Sequence, residues 1–322
     1  MTLGRSITAT ATRAAAVILC LLPSVSAGNV FKDHPITVMN RAASPWASPI
    51  GELESSEVQA DRQGRSFTNR GSGFLVSPCL VLTARHVVYG SDPFPMPGAS
   101  YDMVFRAGAS TTAAFQGHTT AHPVVDGQIG PVGRGDWALL TLDACVGRRF
   151  GWFDLSADKQ LPANAPRLPI AVAGYSGDQT RGVLSYSKGE IEGSDARNDL
   201  VLFNASMTGG QSGGPILEIH NDKLVAVGIT VQDFGGPNAG DEVIIQDTYG
   251  PGHANEFVRI SDVLEGSGCA PPRPNLPPGV STSYSAECQQ KSALARKLIS
   301  DDLSKFGGPN AAAQAHMMKA LP

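Results

Sequence analysis

A serine set among glycines, an imidazole ending one apolar run and a carboxylate opening another are the residues of this sequence whose types and settings could do chemistry together. Ser212 stands between Gly209-Gly210-Gln211 and Gly213-Gly214-Pro215. Glycine lets a backbone turn sharply and bring its own N–H groups close to a substrate atom. A hydroxyl held in such a turn can attack a carbonyl while neighbouring N–H groups receive the charge developing on oxygen. Taken singly, the stretch also reads as an ordinary glycine-rich loop. His86 directly follows Leu80-Val81-Leu82-Thr83-Ala84-Arg85, and taken singly it also fits a core histidine bonded to a backbone carbonyl. Asp136 opens Trp137-Ala138-Leu139-Leu140-Thr141-Leu142 and could equally cap a turn after Gly135. An aspartate is rarely buried without a partner, so one beside a strongly apolar run is expected to meet a donor or a cation.

The three contexts in this order resemble the trypsin/chymotrypsin-like serine peptidase family. Thr83-Ala84-Arg85-His86 is similar to that family's Thr-Ala-Ala-His element, Asp136-Trp137-Ala138-Leu139-Leu140 to its Asp-Ile-Ala-Leu-Leu, and Gly210-Gln211-Ser212-Gly213-Gly214-Pro215 to its Gly-Asp-Ser-Gly-Gly-Pro. The resemblance spans roughly residues 45–265. It implies Ser212 as nucleophile, His86 as general base and then acid, and Asp136 as the group that orients the imidazole and stabilises its cation. It also implies an oxyanion hole from the N–H groups of Gly210 and Ser212.

Two departures matter. Gln211 stands where the digestive members carry Asp, and no Ile-Val-Gly-Gly segment precedes the domain. Activation by a freed terminus is therefore not expected; Gln211 is similar to the Asn or Gln of bacterial members. Arg85 replaces a small residue beside the base, which is tolerable only if its head reaches water or an acid. By the same resemblance the substrate pocket is walled by Ser206, Met207 and Gly209 before the nucleophile and by Thr230, Val231 and Asp233 on a later strand. Ser206 at the pocket base does not support a preference for Arg or Lys, and Thr230, where glutamyl-specific relatives carry His, does not support one for Glu; Asp233 could still contact a basic side chain near the rim, which leaves the pocket open.

The chain has 322 residues, 42% hydrophobic and 17% charged, with 36 Gly and 23 Pro, which fits a loop-rich all-β protein. A net charge of −4, with no basic run or phosphate loop, gives no reason to expect nucleic acid. Residues 1–27 read as a secretory signal: Arg5 and Arg13, an apolar Ala14–Leu22, and Val25-Ser26-Ala27 as cleavage site. That apolar core is too short to anchor the mature chain in a bilayer. Cys20 is expected to leave with it. Cys79, Cys145, Cys269 and Cys288 remain, an even number that allows two disulfides in three connectivities. Cys79–Cys145 is favoured because each lies on or just after a strand carrying a candidate catalytic residue; Cys269–Cys288 would then close a short C-terminal loop. No Cys-x-x-Cys pair points to metal, and neither metal nor organic cofactor is expected.

Residues 28–47 read as a leader of little periodicity, and residues 48–268 as the peptidase domain. Within it, Ile50–Leu53, Phe74–Val76, Leu80–Leu82, Leu168–Ala173, Gly182–Tyr186, Gly189–Glu192, Leu200–Asn204, Ile216–His220 and Leu224–Val231 read as strands. Ser55–Asn69 and Gly90–Ser100 read as loops, and Phe257–Leu264 as a closing helix. The resemblance implies two antiparallel six-stranded β-barrels with the three residues in the cleft between them. Residues 269–322 begin as a stiff Pro-rich linker and continue as a helical tail over Ala286–Phe306. That helix would dock through Leu294, Leu298, Ile299, Leu303 and Phe306. The expected activity is that of an exported endopeptidase acting on peptide or protein. Two other readings remain. A silent relative would bind peptides without cleaving them. An α/β-hydrolase would use Gly210-Gln211-Ser212-Gly213-Gly214 as its elbow, but that fold needs a helix directly after the serine, where Pro215 and a strand pattern stand.

Overall fold

Short runs rich in Val, Ile, Leu and Phe, punctuated by Gly, Pro and Asn, become twelve strands that close into two barrels. The computed structural model describes residues 29–39, 44–60, 66–90, 100–107, 117–127, 135–156, 168–177, 182–195, 200–220, 223–234, 244–246, 254–265 and 280–306. The expected signal, Cys20, Cys269, the Pro-rich linker and most of Gly90–Ser100 lie outside these residues.

The first barrel comprises β1 (Ile50–Ser55), β2 (Arg70–Ser77), β3 (Leu80–Thr83), β4 (Met103–Ala107), β5 (Gly117–Asp126) and β6 (Ala138–Leu142). Its strands close in the order β6-β3-β2-β1-β4-β5. The second comprises β7 (Leu168–Tyr175), β8 (Leu184–Asp195), β9 (Leu200–Phe203), β10 (Pro215–His220), β11 (Lys223–Phe234) and β12 (Ala254–Arg259). Its order is β11-β10-β7-β8-β9-β12, closed by pairing of β11 with β12. Both barrels therefore share one connectivity, and every pairing within them is antiparallel. Closure removes the exposed edges that an open sheet of this size would present.

Alternation along a strand decides which core each residue enters. On β7, Ile170 and Val172 join the core of the second barrel with Val201, Phe203, Ile216 and Phe257. Ala171, Ala173 and Tyr175 turn the other way, into the cluster that includes Leu53, Phe74 and Leu139 of the first barrel. One strand thus serves both cores. Ser72 on β2 stitches the same junction: its hydroxyl accepts from Tyr175 N at 2.8 Å and donates to Gly210 O at 2.7 Å. Its own N–H donates to Ser212 O at 2.8 Å.

Several boundaries differ from the sequence reading. The stretches read as Gly182–Tyr186 and Gly189–Glu192 merge into one long strand, β8, that starts at Leu184, and Gly189 sits where a side chain would strike the backbone of Ala205. A glycine inside a strand here marks close approach of another backbone, not a break. The expected helix Phe257–Leu264 begins as strand: Phe257 pairs with Val201 and Thr230 before the helix α3 (Ile260–Glu265) starts. Two further helices, α1 (Arg85–Tyr89) and α2 (Gly147–Phe150), are short. The expected leader is woven into the fold. Asn29–Phe31 pairs in parallel with Ile244–Gln246, Thr37–Val38 pairs with β8, and Trp46 is buried. The polar Ser55–Asn69 stretch carries a small pairing of Gln59–Ala60 with Ser66–Phe67.

The C-terminal helix, α4 (Val280–Phe306), lies against α3 and the first barrel. Its docking face carries Ala295, Leu298, Ile299 and Leu303, whereas Leu294 is exposed. Asp302 accepts from Ser77 Oγ at 2.5 Å and from Cys79 N at 3.0 Å, and Arg148 lies over the Phe306 ring at 4.9 Å. No helix among the described residues is long and apolar enough to cross a membrane.

Candidate active site

Strand register brings the imidazole and the carboxylate together. In the antiparallel pair β3–β6, Ala138 lies opposite Thr83. Reading back from Ala138 to Asp136 and forward from Thr83 to His86 therefore leaves the same end of the barrel. There Asp136 Oδ2 meets His86 Nδ1 at 2.7 Å, and Oδ1 accepts from the His86 backbone N–H at 2.9 Å. The carboxylate thus fixes both the ring and the chain that carries it. Asp136 is 7% exposed, and the His86 side chain keeps 27% of its surface open.

Burial alone would pull the His86 pKa down, but the charge of Asp136 and its hydrogen bond outweigh that, so the net shift is upward. Arg85, whose placement beside the base needed an explanation, turns away: its Nε lies 3.5 Å from Asp126 Oδ2 and its guanidinium sits over Tyr89 at 4.8 Å.

Ser212 lies in the turn between β9 and β10 and is 2% exposed. Gly210 and Gly213 on either side have φ of +88° and +84°, the region where a side chain is strained. A Cβ on Gly213 would also meet Ser72 O, Thr83 Oγ1 and, at 3.0 Å, Ala84 N. The serine turn is therefore pressed against the residue two before His86, closer than any other amino acid allows. Ser212 Oγ lies 3.5 Å from Val231 O, while Gly213 N donates to Thr230 O at 2.7 Å.

Gln211 holds the turn from inside. Its Oε1 accepts from Thr208 N at 2.7 Å, its Nε2 donates to Ser185 Oγ at 3.2 Å, and Ser185 shares a 2.5 Å hydrogen bond with Ser176. Thr230 Oγ1 donates to Gln211 O at 2.7 Å and lies 3.1 Å from Gly214 O. A neutral carboxamide thus anchors the turn from both of its ends.

The residues expected to wall a substrate pocket divide by surroundings. The Ser206 hydroxyl accepts from Phe31 N at 2.6 Å and donates to Phe31 O at 3.1 Å. Met207 N donates to Asn29 O at 3.0 Å. Asn29 and Asn255 exchange further bonds, Asn29 N to Asn255 Oδ1 at 3.0 Å and Asn255 Nδ2 to Asn29 O at 2.9 Å. Thr230 and Val231 are buried beside the serine turn, and Gly209 O accepts from Gly177 N. The side chain of Asp233 lies outside the described ones. The residues read as a leader therefore contact Ser206 and Met207 directly, which their lack of periodicity concealed. Ser72, the joint between barrels, was also missed; a serine between two glycines in an otherwise apolar strand was the available signal.

Cys79 and Cys145 are disulfide-bonded, with Cα atoms 4.1 Å apart. Cys288 is disulfide-bonded as well, its expected partner Cys269 lying outside the described residues. No group of three His, Cys, Asp or Glu among the described residues is arranged to hold a metal ion.

The chain is similar to known proteins. Residues 71–227 match the family described as a trypsin-like peptidase domain. A probable periplasmic serine endoprotease DegP-like of Bartonella henselae is 28% identical over 172 residues, 53% of this chain and 29% of that protein. The chain thus spans well under half the length of that curated relative. Among solved structures, HL collagenase is 13% identical over 69% of this chain and 93% of its own, with a TM-score of 0.50, a likeness of fold alone. A Glu endopeptidase structure is 17% identical, covering 71% of this chain and 93% of its own, with a TM-score of 0.49.

Proposed function

We propose that the chain is a trypsin/chymotrypsin-like serine peptidase, as its matching family and relative support, and an exported endopeptidase that cleaves peptide bonds through an acyl-enzyme on Ser212. The observation that carries the reading is the His86 Nδ1–Asp136 Oδ2 contact of 2.7 Å at the barrel end against which the Ser212 turn is pressed. With Nδ1 donating to Asp136, the lone pair of Nε2 is the one left to take the Ser212 proton as Oγ attacks the scissile carbonyl. The imidazolium then protonates the leaving amine, and the same ring activates the water that releases the acyl group. The N–H groups of Gly210 and Ser212 receive the oxyanion at each tetrahedral stage. Asp136 stays ionised and keeps the ring in one tautomer.

Gln211 supports a turn that is set without a new N-terminus, because both ends of its carboxamide are bonded within the fold. Substrate binding follows from β11. Its pairing with β10 stops at Pro215–Ile229, and β11 runs on to Phe234 past the serine turn. An extended peptide adds there as a further strand beside Val231–Asp233, with Ser206, Met207, Gly209 and Thr230 around its side-chain pocket. Ser206, engaged with Phe31, supplies no charge for a basic or acidic substrate side chain. Export is supported by the signal-like residues 1–27, by the Cys79–Cys145 disulfide and by the periplasmic relative.

Cleavage of an unbiased peptide library tests this. The expected result is internal cuts with no enrichment of Arg, Lys or Glu before the scissile bond, abolished by Ser212→Ala. A folded chain that cuts nothing, or cuts that persist in Ser212→Ala, would overturn the reading.

A further inference from the structure

Asp126 ends β5 at the same barrel end as the His86–Asp136 pair, and it touches both segments that carry them. Its residue pairs with Ala138, two positions after Asp136, and the next N–H, of Gly127, donates to Trp137 O at 2.8 Å. Its carboxylate faces Arg85, the residue before His86, with Oδ2 3.5 Å from Arg85 Nε. Its other oxygen, Oδ1, accepts from Lys291 Nζ of α4 at 3.0 Å. Tyr89 lies under the Arg85 guanidinium; burial first, and then the charge of Asp126, push its phenol pKa up.

Asp126 and Arg85 side chains are 15% and 9% exposed, and Lys291 is 25% exposed. Among the described residues, the charged and titratable groups around Asp126 include Arg85 and Tyr89 from α1, Lys291 from α4, whose Nζ also lies 3.6 Å from Glu287 Oε1, and Tyr101, edge-on to Tyr89 with ring centres 4.8 Å apart. A cation this enclosed must keep its acid, since breaking a buried pair strands the remaining charge. α1 has five residues and no side-chain cap, so its position depends on what its neighbours hold.

We propose that Asp126 is a positioning residue for the His86–Asp136 pair, and that α4, through Lys291, is part of the unit that keeps this pair in register. The inference rests on the peptidase reading above and adds to it a distant segment of chain, 165 residues on in sequence from Asp126. Asp126 acts by fixing the direction in which α1 leaves β3 relative to the start of β6. Its loss loosens the 2.7 Å contact without touching substrate. A displacement of this kind costs about tenfold or more in rate, since catalytic geometry tolerates well under an ångström.

The test uses the full chain with Asp126→Asn, Asp126→Glu, Lys291→Met and, as a control, Lys297→Met. Lys297 lies on the same helix and pairs with Asp301 within it. Three quantities are read: the rate of Ser212 labelling by a fluorophosphonate, the His86 ring titration by NMR, and the thermal midpoint. Asp126→Asn is expected to label about tenfold or more slowly, with the His86 titration moved to lower pH as its partner loosens. Asp126→Glu recovers most of the rate. Lys291→Met moves both quantities the same way by about two- to fivefold in rate, the size of a partly exposed ion pair. Lys297→Met changes neither. A folded Asp126→Asn with labelling within about twofold of the parent and an unmoved His86 titration would overturn the proposal. If Asp126→Asn fails to fold, the same two readings on folded Lys291→Met decide. If the parent does not label at all, the peptidase reading fails; the His86 titration then decides the positioning role alone.

Discussion

In the proposed mechanism His86 carries opposite demands from catalysis and from stability. As a base it must be neutral, so activity falls as pH drops through its raised pKa. As the partner of Asp136 it contributes stability most fully below its ordinary value of 6.5, and that contribution is lost as pH rises through the folded value. The predicted acid limb of kcat/KM therefore lies above 6.5, and a pH–rate profile checks it. Asp136→Asn moves the limb downward and lowers kcat by about 10⁴ while the chain stays folded, the loss seen when the orienting carboxylate of such a triad is neutralised. An unmoved limb would mean that Asp136 does not set the imidazole. Gly213 is decisive for a different reason. Gly213→Ala meets both a positive φ and the backbone of Ser72 and Ala84. We expect a loss of at least about 1–2 kcal/mol in denaturant unfolding, with a disproportionate fall in Ser212 reactivity because the turn must back away from α1.

At the scale of elements, the serine turn is held by side chains rather than by a ladder. Gln211→Ala leaves Thr208 N without its acceptor in a fully buried setting, at a cost of about 1–3 kcal/mol. Gln211→Glu places a charge among Ser185, Ser176 and Thr208 and is predicted to be worse than Ala, as chemical denaturation and turnover would show together. The strands that flank His86, Asp136 and Ser212 were legible because each is a nearly unbroken apolar run bounded by Gly, Pro or a polar residue. What escaped was set by tertiary contact. Gly189 reads as a break yet serves a close backbone approach inside β8. Phe257 reads as helical yet lies on the strand that closes the second barrel. Leu294 has the spacing of a buried position, but Ala295 is the residue that α4 turns inward.

Across the whole molecule, the site depends on junctions between distant parts of the chain. Ser72 joins the barrels under the Ser212 turn, Asn29–Phe31 braces Ser206 and Met207, and α4 reaches Asp126, Ser77 and Cys79. None of these had a periodic or motif-like signature; single polar residues in apolar surroundings, such as Ser72, were the faint trace. The Cys79–Cys145 disulfide was legible from its place beside the candidate strands. It closes a loop of 66 residues and ties the β2–β3 turn to the segment after β6. Replacing both cysteines by Ala is expected to lower stability by about 4 kcal/mol in the chain-entropy account, measured by denaturant unfolding. A parent chain that loses no stability on reduction would remove the disulfide from this account.

The account stands on three side chains acting as one hydrolytic unit, and the most direct measurement is mass mapping of the folded chain after reaction with a fluorophosphonate. The prediction is one phosphonyl group on Ser212, absent from Ser212→Ala, absent after unfolding and formed far more slowly in His86→Ala. An adduct that survives in Ser212→Ala, or one that forms as fast without His86, would contradict it.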